Sequence, residues 1–215
     1  MAHAAPVAID SGDVVPPPEH GALVLDHPHP SSGVDNRKLL MWAFLGSDCM
    51  FFGSLIGTYL SYKGKSVGGP VPRDVFNIPL TSESAAVLLL SSLTMVLALA
   101  ALEKNDHKWT GRWLFATALL GAHFVGNQVY EFYTFAVHDG LRLSTNLFGS
   151  TFFTLTGFHG AHVTGGVIWL MGLWWQLKRG RLSKGDYTKV EIAGLYWHFV
   201  DIVWIAIFTI IYLIP

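Results

Sequence analysis

Ten polar side chains stand where the surrounding sequence is apolar: Asp48, His123, Asn127, Gln128, Glu131, His159, His162, Glu191, His198 and Asp201. Imidazoles at such positions could ligate a haem or a transition metal, carboxylates could carry protons, and either could bond one helix to another. A haem needs axial ligands at matching depth on facing helices, for which only His123, His159, His162 and His198 are available. A copper or zinc centre needs three or four converging ligands, and His159 with His162 supply at most two from one helix. Cys49 is the only cysteine, so an internal disulfide, a thiolate cluster and a cysteine-based haem attachment are all excluded. The expectation is that this chain carries no catalytic residue, no cofactor and no metal of its own, and that the ten residues serve packing, proton, lipid or interface roles.

The elements that position them are long and apolar. Asn146 to Gln176 runs thirty-one residues without a charged side chain, longer than the roughly 20 residues that cross about 30 Å of hydrocarbon. His159 and His162 sit near its middle among Gly157, Gly160, Gly165 and Gly166, which is a face turned to protein, water or a cofactor rather than to lipid. The fold class is therefore all-α, a polytopic membrane bundle with five transmembrane helices at about 39–62, 80–102, 113–135, 147–177 and 190–213. In the first span Asp48 must point into the bundle and either keep its proton or find a donor. Gly53 and Gly57, four apart, predict close helix contact. The second span is plainly aliphatic after Ser84, with Thr81 or Ser82 as its cap and Glu83 against the positive end of the helix. In the third, His123, Asn127 and Glu131 recur every four residues beside Gln128 and form one polar stripe. In the last, Glu191, His198 and Asp201 share a face, and the depth of His198 and Asp201 matches that of Asp48 closely enough to suggest a single polar cluster.

Composition agrees with a membrane protein. The chain is 51% hydrophobic and 13% charged, against about 25% charged residues in soluble domains. A net charge of −1 without a basic block argues against nucleic acid as a partner. Residues 1–36 are rich in proline and glycine, show no periodicity and lack the basic start and apolar run of a secretory signal; they read as a flexible extension ahead of a five-span domain at 37–215. With the amino end in the cytoplasm, ten of the fourteen basic residues fall on the inner side and four on the outer. The positive-inside rule therefore places the amino terminus inside and the carboxyl terminus outside. Secondary transport predicts matched repeats or broken helices, which these five dissimilar spans do not display. A channel or transporter subunit is the alternative of a different class, and it would move solute by itself.

Four motifs, in order along the chain, carry a resemblance. FLGSDCMFFGSL at Phe44–Leu55, GNQVYEFY at Gly126–Tyr133, GSTFFTLTGFHGAHVTGG at Gly149–Gly166 and YWHFVDIVW at Tyr196–Trp204 resemble subunit III of haem-copper terminal oxidases, most closely the five-span bacterial form of cytochrome c oxidase subunit III. The resemblance covers about Arg37 to Leu213. It implies a plasma-membrane subunit without a redox centre, seated beside the subunit I that holds the haems and a copper centre, with subunit II in the same complex. Such a complex reduces dioxygen to water and pumps protons; subunit III sustains proton uptake and turnover and holds phospholipid. By motif position Asp48 stands where many such subunits carry an in-membrane glutamate. Mitochondrial-type members have seven spans, so the lipid cleft built with the first two would be absent here or completed by a neighbour. The SDC sequence and the GGP loop also resemble quinol oxidase subunit III, which leaves cytochrome c as the expected donor and quinol as the alternative.

Overall fold

The computed structural model describes residues 35–65, 78–138 and 140–214; the amino-terminal extension and the loop at 66–77 fall outside the described residues. Five long helices follow in order: α1 Asn36–Tyr62, α2 Ile78–Glu103, α3 His107–Val137, α4 Leu147–Lys178 and α5 Tyr187–Phe208, the last continuing through a π-helical turn at Thr209–Leu213. No strand occurs among the described residues. At about 1.5 Å of rise per residue each helix is long enough to cross about 30 Å of hydrocarbon.

Helix starts are set by short polar side chains. Asp35, Asp106 and Asn146 each accept a hydrogen bond from a backbone N–H in the first turn of α1, α3 and α4, satisfying donors that no helical carbonyl reaches. The turn between α2 and α3 closes through Asn105 at φ 59°, a left-handed conformation that asparagine tolerates. α2 starts earlier than the Thr81/Ser82 cap predicts, because Pro79 is accommodated in its first turn, where no helical N–H is needed. Thr81 and Glu83 are thereby released to bond other helices.

α3 lies between α2 and α4, α5 packs across α2 and α4, and α1 rests on α4 and α5. Trp197 of α5 is the central wedge, 1% exposed. Gly121 of α3 and Gly166 of α4 make room for it: a Cβ on either would lie within 2.9 Å of its indole. Gly160 similarly admits the Gln128 side chain, whose Oε1 would be 2.6 Å from an added Cβ. The close approach predicted for α1 is absent among the described residues, where a Cβ on Gly46, Gly53 or Gly57 meets nothing within 4 Å.

By length and apolarity α1, α2 and α5 qualify as membrane spans. α3 and α4 are longer, at 31 and 32 residues. The polar stripe of α3 and the histidines, threonines and glycines of α4 lower their apolarity.

Candidate functional site

The polar residues inside the helices form separate junctions rather than one centre. Asp48 of α1 meets His162 of α4, with Oδ2 3.6 Å from Nε2 and the two side chains 13% and 21% exposed. The other ring nitrogen, Nδ1, lies 2.7 Å from the Phe158 carbonyl oxygen. A carbonyl only accepts, so Nδ1 carries the hydrogen and Nε2 is the atom turned to Asp48. Tyr196 of α5 donates to the His162 carbonyl at 2.9 Å, and Phe52 packs edge-on against the imidazole with centroids 5.0 Å apart. The contact is longer than a hydrogen bond, and Asp48 Oδ2 is buried without a hydrogen-bond donor among the described residues.

His159, one turn away, is different. It is fully buried, and neither ring nitrogen has a hydrogen-bond partner among the described residues. The ring stacks on Trp204 at 5.1 Å and meets Phe124 edge-on at 5.8 Å. Its role in the fold is aromatic packing between α3, α4 and α5.

On α5 the shared face of Glu191, His198 and Asp201 splits between two neighbours. Glu191 pairs with Lys38 of α1 at 2.7 Å. His198 Nδ1 lies 3.0 Å from the Ser92 hydroxyl of α2, which also donates to Asp201. Ten residues of helix rotate Asp201 about 80° from Glu191, enough to change the helix it faces. Asp48 therefore belongs to the α1–α4 contact, and the predicted joint cluster with His198 and Asp201 does not form.

The α3 stripe also divides. His123 and Asn127 both reach Glu83 of α2, at 3.1 and 3.0 Å, in a half-exposed triad. Glu131 is buried and accepts from Thr81 at 2.9 Å and from Tyr212 at 3.2 Å, tying α2, α3 and the π turn together. Gln128 donates to the Thr156 carbonyl at 2.7 Å. Trp197 donates to Ser91 at 2.9 Å. Ser91 and Ser92 went unnoticed in the sequence, and Thr81 and Glu83 were read only as helix-end residues. Their signal was the polar run from Thr81 to Ser84, with Ser91, Ser92 and Thr94, within an otherwise aliphatic second span. No group of three His, Cys, Asp or Glu side chains converges as metal ligands among the described residues.

The described helices, joined α1 to α4 through Asp48 and His162 and α2 to α5 through Ser92, His198 and Asp201, use as helix contacts the motifs singled out in the sequence. A sequence model of the family described as cytochrome c oxidase subunit III matches residues 34–214. This chain is a member of that family. It is 41% identical over 178 residues to cytochrome c oxidase subunit 3 of Bacillus sp. (strain PS3), covering 83% of this chain and 86% of that protein. It is equally 41% identical over 172 residues to quinol oxidase subunit 3 of Bacillus subtilis, covering 80% and 84%. Cytochrome bo(3) ubiquinol oxidase subunit 3 of Pseudomonas aeruginosa is 38% identical over 188 residues, covering 87% and 88%. The chain is thus subunit III of a haem-copper oxidase, and the junctions above are the internal contacts of a subunit III.

Proposed function

We propose that this chain is the non-redox subunit III of a proton-pumping cytochrome c oxidase, crossing the plasma membrane five times with its amino terminus in the cytoplasm. In this reading it braces subunit I, which with subunit II holds the haems and copper, and it sustains proton uptake and turnover. The observation that carries the bracing role is the open face of α1. Gly46, Gly53 and Gly57 recur at seven and four residues on one stripe with nothing within 4 Å among the described residues. The hydroxyls of Ser47, Ser54 and Ser61 are turned back to their own helix carbonyls at 2.7–2.8 Å. Small residues with satisfied polar neighbours suit close packing against a helix of another subunit. Five spans are supported by helix length and by the placement of polar residues of α3 and α4 in interhelical contacts.

Phospholipid binding is supported by a groove of about 660 Å³ between α1, α4 and α5, lined by Leu40, Phe44, Trp169 and Leu173 with Arg37 and Lys189 among its walls. The YWHFVD and TGFHGAHV motifs favour cytochrome c as donor; the quinol oxidase relatives keep quinol as the second reading.

The test is purification of the assembly through a tag on this chain, followed by haem and copper analysis of the separated subunits and donor assays. Haem and copper are expected only in partner subunits, with reduced cytochrome c oxidised and quinol not. Metal or haem retained by this chain would refute the non-redox assignment, and quinol oxidation alone would reverse the donor.

A further inference from the structure

A second groove, distinct from the one beside α1, opens between the first turns of α3 and the last turns of α4. It has a volume of about 580 Å³, and His107, Lys108, Arg112 and Lys178 line it together with Phe115 and Trp174. No acidic residue is among its lining residues. None of the three lysine and arginine side chains has an acidic partner among the described residues. Phe115 and Trp174 stand 5.4 Å apart by ring centroid, and Lys178 lies over the Trp174 ring at 5.7 Å. Arg112 is likewise 4.8 Å from the Trp109 ring, so its charge is held at the level of an aromatic layer. Gly111 lets the two helices approach at the floor, where an added Cβ would meet Leu177 at 3.2 Å.

Aromatic rings at the end of a membrane helix mark the headgroup level, and cations at that level attract anionic lipid. We propose that this groove binds one anionic phospholipid, its phosphate between Arg112 and Lys178 with His107 and Lys108 beside it, and an acyl chain along Phe115 and Trp174. Charge complementarity decides the class of lipid: Lys108, Arg112 and Lys178 without a carboxylate reject a neutral headgroup less by shape than by leaving their own charge uncompensated. The apolar wall decides lipid over a soluble anion, because a free phosphate would leave Phe115 and Trp174 uncovered.

The test is native mass spectrometry of the full chain in detergent micelles, titrated separately with phosphatidylglycerol, phosphatidylcholine and glycerol phosphate. Arg112→Gln with Lys178→Gln should hold one phosphatidylglycerol fewer than the wild type. Its affinity at that site should fall about 25-fold, each charge near the surface contributing about fivefold. Arg112→Lys with Lys178→Arg should keep the lipid, phosphatidylcholine should not distinguish the variants, and glycerol phosphate should not displace the lipid. Equal phosphatidylglycerol binding by the wild type and the glutamine variant overturns the proposal. Loss in both double variants, or displacement by glycerol phosphate, overturns it equally, the first pointing to damaged packing and the second to a soluble anion.

Discussion

The Asp48–His162 contact joins a mostly buried acid and imidazole on different helices, the imidazole lying against the Phe51 and Phe52 rings. Residues in contact within such a pair couple by roughly 0.5–3 kcal/mol. A double-mutant cycle of Asp48→Asn and His162→Gln, read by thermal unfolding of the purified complex, should return a coupling in that range; strictly additive losses would show that the two side chains act alone. Ser92 makes a sharper case, because one hydroxyl serves both His198 and Asp201, and Asp201 Oδ1 already lacks a partner among the described residues. Ser92→Ala should destabilise the protein by about 1–3 kcal/mol, the usual cost of leaving buried polar groups without their bond. Ser82→Ala, at a half-buried site in the same helix, is the control. All ten polar candidates were legible as in-span polar groups, yet their partners were not. Glu83 read as a helix-end charge and Ser92 lay in a stretch read as aliphatic, because interhelical pairing depends on rotation about two axes that one sequence does not specify.

At the scale of the helix, the same residue type has two opposite roles. Gly121 and Gly166 face Trp197, whereas Gly46, Gly53 and Gly57 face outward. Gly166→Ala should force the indole to shift and cost about 1–3 kcal/mol, as overpacking does, lowering the midpoint of thermal unfolding of the full chain. Gly53→Leu should leave that midpoint within the roughly ±0.5 kcal/mol typical of a site that touches nothing among the described residues. It should instead reduce recovery of subunit I with the tagged chain by about tenfold; unchanged recovery would place the partner on another face. Helix existence and order were readable from apolar length; α1 and α3 begin at Asn36 and His107, ahead of the expected 39 and 113, because Asp35 and Asp106 cap polar first turns, while the α4 start near 147 was readable. The α2 start was not, since Pro79 reads as a loop residue although a first helical turn accepts it. The small-residue rule also could not say which glycines meet a neighbour of the same chain and which await another.

For the whole molecule, polar groups are distributed along the seams between helices, and the aromatic and basic residues gather around the carboxyl end of α4. In chain order that end meets the starts of α1, α3 and α5, the four helix ends that carry Arg37, Lys38, Lys108, Arg112, Lys178, Arg179 and Lys189. Outside the membrane-spanning segments the same region is held by Asp186, whose carboxyl lies below the usual carboxylate range because it bonds Lys189 and the Ser183 backbone N–H. That local brace is present above pH 3.8 and is lost as pH falls through the lowered value. An architecture of braces and basic grooves predicts how the assembly fails without this chain. Oxidase complex stripped of the subunit should reduce dioxygen at nearly its normal initial rate, since the proposed chemistry lies in its partners. Its active lifetime under turnover should shorten, and loss of only 1–2 kcal/mol of support corresponds to a change of roughly 5–30-fold. Stopped-flow reduction followed by oxygen-electrode recording over many turnovers separates the two quantities. An immediate loss of the haem spectrum on removal would instead assign this chain a direct part in holding the redox centre.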